Sequence, residues 1–378
     1  MDKRIRLGFI YLWDSSWLGG VYYAQNLLKA LNAIEDEKKP IVDVHCLNDK
    51  IFSDLQMSTN YPYLEKTLVK KILWRRILRK FLSFFSLRAS SLISIINLNS
   101  QDDVYYPWST GWNKKKLLMW KPDFQEKYLP EYFSKRDLKN RNNLIVESCK
   151  RSVPIVFSSN DSLSDFRNFY PKYKNNPSYV LHFAANIENY QERNINVIKE
   201  KYGITKDYIL CTNQFWQHKN HYFLFRAFKK ALDSGFDKQL VCTGRPYDNR
   251  SPRYSEKISD FLSENHLSNE ILILGMIDKS DLLCLMRNSY AVVQPSLFEG
   301  WNTTVEDCKN INKFIFLSDL KVHREQIDKN VCFFNPRDED DLKEKLLTVQ
   351  PYSEKIEYRN NICEFGGNFV KILESICL

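Results

Sequence analysis

Short apolar runs alternate with longer stretches in which apolar residues recur every three or four positions, and this alternation holds through most of the chain. The first pattern is that of a buried strand, the second that of a helix with one apolar face. Arg6–Leu12 predicts a first strand, and Val21–Ala33 the helix that follows it. Ile41–Leu47, Asp103–Tyr106 and Ile155–Ser159 predict further strands, the last followed by a helix over Ser162–Phe169. The second half is more regular. Strands are expected at Tyr208–Thr212, Gln239–Thr243, Ile271–Leu274, Ala291–Gln294, Lys313–Leu317 and Val331–Phe334. Between them lie helical patterns at about Tyr222–Leu232, Ser255–Leu262, Lys279–Arg287, Thr304–Asn310 and Glu339–Leu347.

Strand–helix alternation implies parallel sheets covered by helices on both faces. There are more strands than one open sheet needs, and residues 185–205 are polar and poor in apolar positions, as a linker would be. The expected organisation is therefore two doubly wound α/β domains, over 1–188 and 189–350. Residues 351–378 would form a helical segment that packs back on the body.

Composition narrows the class. With 43% hydrophobic and 27% charged residues among 378, the chain is globular, not disordered. The excess of 55 Lys+Arg over 46 Asp+Glu gives +9, which favours anionic partners without choosing among them. The nine cysteines are well separated and lie mostly in apolar runs, the usage of reduced buried thiols. The N-terminus enters a strand directly, without the pattern of a secretory signal, and no stretch has the length of a transmembrane helix. A cytoplasmic protein is expected.

Residues 65–88 stand apart. Lys66, Lys70, Lys71, Arg75, Arg76, Arg79 and Lys80 are interleaved with Leu68, Ile72, Leu73, Trp74, Ile77, Leu78 and Phe81. Such a segment suits an anionic membrane surface, which would make the protein peripheral at the inner face of the plasma membrane. On a helical wheel the two kinds of residue intermingle. The alternative is therefore a helix packed on its own domain with its basic ends in water.

The chemistry is expected beyond the carboxyl ends of the second-half strands, where open α/β sheets bind their ligands. After Ala291–Gln294 comes Pro295-Ser-Leu-Phe-Glu-Gly-Trp-Asn-Thr-Thr-Val-Glu-Asp. Gly300 lets the backbone approach a ligand, and Thr303 or Thr304 can cap a helix whose first amides would face an anion. Glu299 and Asp307, with Glu306 beside the latter, would repel phosphate but accept from sugar or ribose hydroxyls. Amides for phosphate and carboxylates for hydroxyls together describe a nucleotide sugar. The bland alternative is that these acids only favour the helix N-terminus.

Two more loops share that placement. Tyr208–Thr212 leads into Asn213-Gln-Phe-Trp-Gln-His-Lys-Asn-His, where Lys219 could neutralise a diphosphate and Asn213 and Gln214 offer amides. His218 and His221 have no nearby carboxylate to complete a metal site. Gly19 and Gly20 open a helix after the first strand, where a backbone loop could hug a phosphate or a sugar.

Pro295-Ser-Leu-Phe-Glu-Gly-Trp resembles the P-S-x-x-E-G-F run of glycosyltransferase family 4, and Glu299 to Asp307 is similar to that family's E-x7-E motif, with Asp for the second Glu. Asn302 replaces the usual glycine, and Gln214 the Arg of an R-x4-K pair that ends at Lys219. Pro122-Asp-Phe-Gln-Glu resembles a first-domain segment of a bacterial polysaccharide-assembly branch, with Glu126 where a histidine often stands. The resemblance implies a GT-B fold, two Rossmann-like domains facing a central cleft, and a retaining, metal-independent glycosyltransferase. It implies that Glu299 binds the donor sugar and Asp307 or Glu306 the ribose. Lys219 and the amides of Gly300, Trp301, Asn302, Thr303 and Thr304 would hold the diphosphate, and the turn with Met276 and Ile277 the base. Gly244 and Arg245 would line the same crevice, Gly19 and Gly20 would lie near the diphosphate, and Asp123 near the transferred sugar. The donor would be a UDP- or GDP-linked sugar and the acceptor a lipid-linked glycan, in lipopolysaccharide O-antigen or other surface polysaccharide synthesis. No cofactor and no metal are expected. A sugar-nucleotide epimerase of the same architecture is the enzymatic rival. A nucleic-acid-binding protein is the other, and it leaves Glu299 and Asp307 without a purpose.

Overall fold

The computed structural model describes residues 4–12, 18–69, 101–108, 116–187, 192–248 and 251–377. It contains two parallel sheets, and the chain divides into two compact units. The first comprises residues 1–124, 133–186 and 359–378; the second comprises 125–132 and 187–358.

In the first unit seven strands run in the order β3-β2-β1-β4-β5-β6-β7. They are β1 (Arg6–Ile10), β2 (Ile41–Cys46), β3 (Leu64–Leu68), β4 (Val104–Trp108), β5 (Lys116–Lys121), β6 (Ile155–Phe157) and β7 (Ser178–Val180). The central strands are buried on both faces, as in β1, where Leu7 and Phe9 on one face and Gly8 and Ile10 on the other are all buried. The helix Leu18–Asn32 follows β1 and packs against the long C-terminal helix Arg359–Cys377. Contact is close at Gly366, where a Cβ would collide with the carbonyl of Ala30.

β3, β5 and β7 have no counterpart among the expected strands. β3 is an edge strand of sequence Leu-Glu-Lys-Thr-Leu with mostly exposed side chains, so it shows no apolar run. Charged residues on an edge also discourage pairing with other chains. Of the basic segment 65–88, residues 65–68 thus belong to a strand, and Lys66 pairs with Asp49. Residues 70–88 lie outside the described residues. Residues 195–202, expected in a polar linker, form a helix that ends at Gly203.

The second sheet has six strands in the order β10-β9-β8-β11-β12-β13. These are β8 (Tyr208–Thr212), β9 (Gln239–Thr243), β10 (Ile271–Ile273), β11 (Ala291–Gln294), β12 (Ile315–Ser318) and β13 (Val331–Phe334). Helices pack on both faces. His221–Asp233 buries Leu224, Phe225, Ala227, Phe228 and Ala231, a stripe at helical spacing. Among the described residues no helix is long and apolar enough to cross a membrane.

Candidate active site

β8 and β11 are neighbours, yet the chain leaves them in opposite directions, through β9 and β10 on one side and β12 and β13 on the other. The loops beyond their carboxyl ends diverge, which makes this the topological switch point of the sheet. The side chain of Asn213 donates to Gln294, and both are buried. The hydroxyls of Thr212 and Thr304 lie 2.8 Å apart, and the amide of Leu297 donates to the carbonyl of His218 at 2.8 Å. The two loops are therefore locked to one another before any ligand arrives.

Across them Lys219 Nζ donates to Glu299 Oε1 at 2.6 Å, with 15% and 9% of the side chains exposed. Asn302 Nδ2 donates to the same oxygen at 3.3 Å. Among the described residues Glu299 Oε2 has no hydrogen-bond partner. A carboxylate held by one oxygen presents the other to an incoming donor. Beside this pair, Asp307 accepts from Lys279 at 2.5 Å, and its side chain is 6% exposed.

The helix that carries Asp307 runs from Thr303 to Asn310 and is capped by Asn302, whose Oδ1 accepts from the amides of Thr304 and Val305 at 2.9 and 3.4 Å. This corrects the expected cap at Thr303 or Thr304. Asn302 stands one residue earlier in extended conformation, which is what a cap requires. The cap engages the Thr304 amide, one of those expected to face an anion, and Gln326 accepts from another, that of Asn302. Gly300 is buried, but it is not among the glycines with positive φ, so no left-handed turn demands glycine there.

Gly244 is the position where backbone freedom matters. Its φ is +114°, and a Cβ would collide with the carbonyl of Asn213. Its amide donates to the carbonyl of Gly275, and the amide of Phe215 donates to that of Arg245. Gln214 accepts from the amide of Arg245 at 3.0 Å and reaches Met276 Sδ with its amide group. The loops after β8, β9 and β10 thus form one rim. Met276 and Arg245 on it are exposed, whereas Ile277 packs partly on the core.

Glu306 and Asp307 separate in role. Glu306 is 1% exposed and is engaged by Lys309, Gln326 and Tyr358. Trp301 and Thr303 are half-buried. Gly19, Gly20 and Asp123 belong to the first unit, the glycines in the opening turn of Leu18–Asn32 and Asp123 just past β5. His221 stacks on Phe215 at 3.9 Å and is part of the core. The described His, Cys, Asp and Glu side chains that cluster within 4.8 Å are Asp43 and His45 of β2 and Asp102 just before β4, all in the first unit.

Sequence reasoning missed Lys279, Gln326, Tyr358 and His323. Lys279 follows the Gly275 turn and could have been noticed as a second loop cation. The others carry no local signal. His323 is fully buried, its Nδ1 donates to the carbonyl of Ser318 at 2.7 Å, and burial lowers its pKa, against the raising influence of Glu299.

Residues 194–362, which span most of the second unit, match the family model described as Glycosyl transferases group 1. The chain is 22% identical over 240 residues to the O-antigen chain mannosyltransferase RfbU of Salmonella typhimurium; the match spans 63% of this chain and 62%, less than two thirds, of that protein. In structure it is similar to Anabaena Alr3699/HepE, solved with UDP and glucose (TM-score 0.64, 14% identity, 99% of this chain and 95% of that one). It is also similar to the sucrose-phosphate synthase of Thermosynechococcus elongatus (TM-score 0.62, 12% identity, 99% and 95%). The fold is the GT-B fold, with two Rossmann-like parallel-sheet domains.

Proposed function

We propose that this protein is a retaining glycosyltransferase that moves a sugar from a UDP- or GDP-linked donor to a glycan acceptor in surface-polysaccharide assembly. One observation carries the reading: Lys219 and Glu299 pair at 2.6 Å at the switch point of the sheet that bears the matched domain. A nucleotide sugar resolves that pair. Its diphosphate draws Lys219 away, and its sugar hydroxyls donate to the carboxylate left behind. Asp307, with Lys279 beside it, takes the ribose, because Glu306 already has three protein donors. The rim of Gly244, Gly275 and Met276 receives the base.

Charge development sets the mechanism. As the anomeric C–O bond breaks, the diphosphate gains negative charge and the sugar becomes cationic. Lys219 stabilises the first as a donor already in place. Front-face attack by the acceptor hydroxyl retains configuration and requires no protein nucleophile. Neutralisation by Lys219 makes a metal unnecessary, so turnover should persist in EDTA. The acceptor is lipid-linked and the protein works at an anionic membrane surface, a reading supported by the basic, aromatic residues 70–88 and the O-antigen role named for the Salmonella relative. Wild-type protein should sediment with anionic vesicles; failure to do so removes that part.

The test is a thermal-shift panel of nucleotides and nucleotide sugars. A base-specific rise that Lys219→Ala abolishes, and that Glu299→Ala reduces for the nucleotide sugars, supports the site. A rise unaffected by both substitutions overturns it.

A further inference from the structure

Glu306 lies in the motif helix one residue before Asp307, yet its carboxylate points into the domain. Oε1 accepts from Lys309 Nζ at 3.1 Å and from Gln326 Nε2 at 2.8 Å, while Oε2 accepts from the hydroxyl of Tyr358 at 2.5 Å. Gln326 also grips Asn302 through its backbone. Its Oε1 accepts from the amide of Asn302 at 3.1 Å, and its Nε2 donates to the carbonyl of Asn302 at 2.8 Å. Asn302 in turn caps the helix and donates to Glu299. Glu306, Gln326, Asn302 and Tyr358 are each at most 4% exposed. An unbroken hydrogen-bonded chain therefore runs from Tyr358 through Glu306, Gln326 and Asn302 to the carboxylate that pairs with Lys219.

We propose that Glu306 and Gln326 are positioning residues that fix the Glu299 carboxylate for the donor sugar by holding Asn302. This rests on the reading above. A carboxylate misplaced by about 1 Å can cost on the order of 100-fold in rate, and outer contacts are what prevent such misplacement. Glu306 itself does not touch the ligand. Its charge balances Lys309, and its geometry orients Gln326.

The experiment measures turnover by hydrolysis of UDP-glucose and GDP-mannose, and binding of bare UDP and GDP. It compares wild type with Gln326→Leu, Glu306→Gln and Tyr358→Phe, and repeats Gln326→Leu in a Glu299→Ala background. Gln326→Leu should lower kcat about 10- to 100-fold while nucleotide affinity stays within about threefold, since Glu299 meets the sugar. In the Glu299→Ala background the same change should add almost nothing, because partners in one chain are not additive. Glu306→Gln, which keeps the oxygen that Gln326 and Lys309 use, should retain most activity. Tyr358→Phe should show a severalfold loss in the same non-additive way, and it covers the case in which Gln326→Leu does not fold. Equal losses in both backgrounds, or a Glu306→Gln protein that loses nucleotide binding, would overturn the proposal. Wild-type protein that neither binds the nucleotides nor hydrolyses the sugars would instead overturn the transferase reading.

Discussion

The two sheets keep their charged side chains in different places. In the first, Asp43 and His45 on β2 and Asp102 two residues before β4 are each at most 1% exposed. His45 Nε2 sits 2.8 Å from Asp102 and 3.7 Å from Asp43, which also accepts from Thr67 at 2.8 Å. In the second, the pairs Lys219–Glu299 and Lys279–Asp307 stand on the loops and helices that follow the strand ends, with side chains 6% to 16% exposed. A charge enclosed by a sheet must be compensated by the fold itself, so its partners are permanent. A charge at the strand ends can exchange a protein partner for a ligand. On the proposed function, similar residue types therefore serve stability in one unit and binding in the other.

Substitutions can sharpen or break that contrast. The largest effect is expected for Lys219→Ala, a loss of about 10²–10³ in turnover with little change in melting temperature. Asp102→Ala should do the opposite. Leaving His45 and Asp43 without their partner should cost about 3 kcal/mol in urea unfolding, with turnover per folded molecule preserved. Should Asp102→Ala abolish turnover while folding normally, the division of roles is wrong.

Next is Gly244→Ala, which forces a methyl against the Asn213 carbonyl at a φ of +114°. A loss of about 2 kcal/mol is expected, along with weaker nucleotide binding as the rim shifts. The smallest effect concerns His323. Its folded pKa is lowered by burial, so the unfolded chain binds more protons below the ordinary histidine value of about 6.5. The stability this contributes is complete above that value and is lost as pH falls toward the folded pKa. In His323→Asn, which keeps a donor for the Ser318 carbonyl, unfolding free energy should fall by about 1 kcal/mol less between pH 7 and pH 5. An unchanged pH slope would show that His323 is not held neutral.

Legibility in the sequence followed the same division. β8, β9, β11 and β13 are at the expected boundaries because each is a short, apolar-rich run closed by polar residues. β3 was hidden because an edge strand needs no apolar face, and β5 because lysines flank its buried centre. In the site, Lys219 and Glu299 were readable from their loops, and the structure brings them into direct contact across 80 positions. The cap at Asn302 was not read, since two threonines follow it and either could have served.

What the sequence alone determined is the repeated order of strand and helix, two α/β domains, and the acids and lysine placed beyond strand ends. Those properties are local, set by spacing, turn residues and apolar runs of a few positions. Tertiary structure decided which of Glu306 and Asp307 turns inward, that Lys279 answers Asp307, and that Gln326 and Tyr358 hold the motif from 20 and 52 positions away from Glu306. A hydrogen bond depends on position and direction in space, and only packing brings such distant residues within its reach.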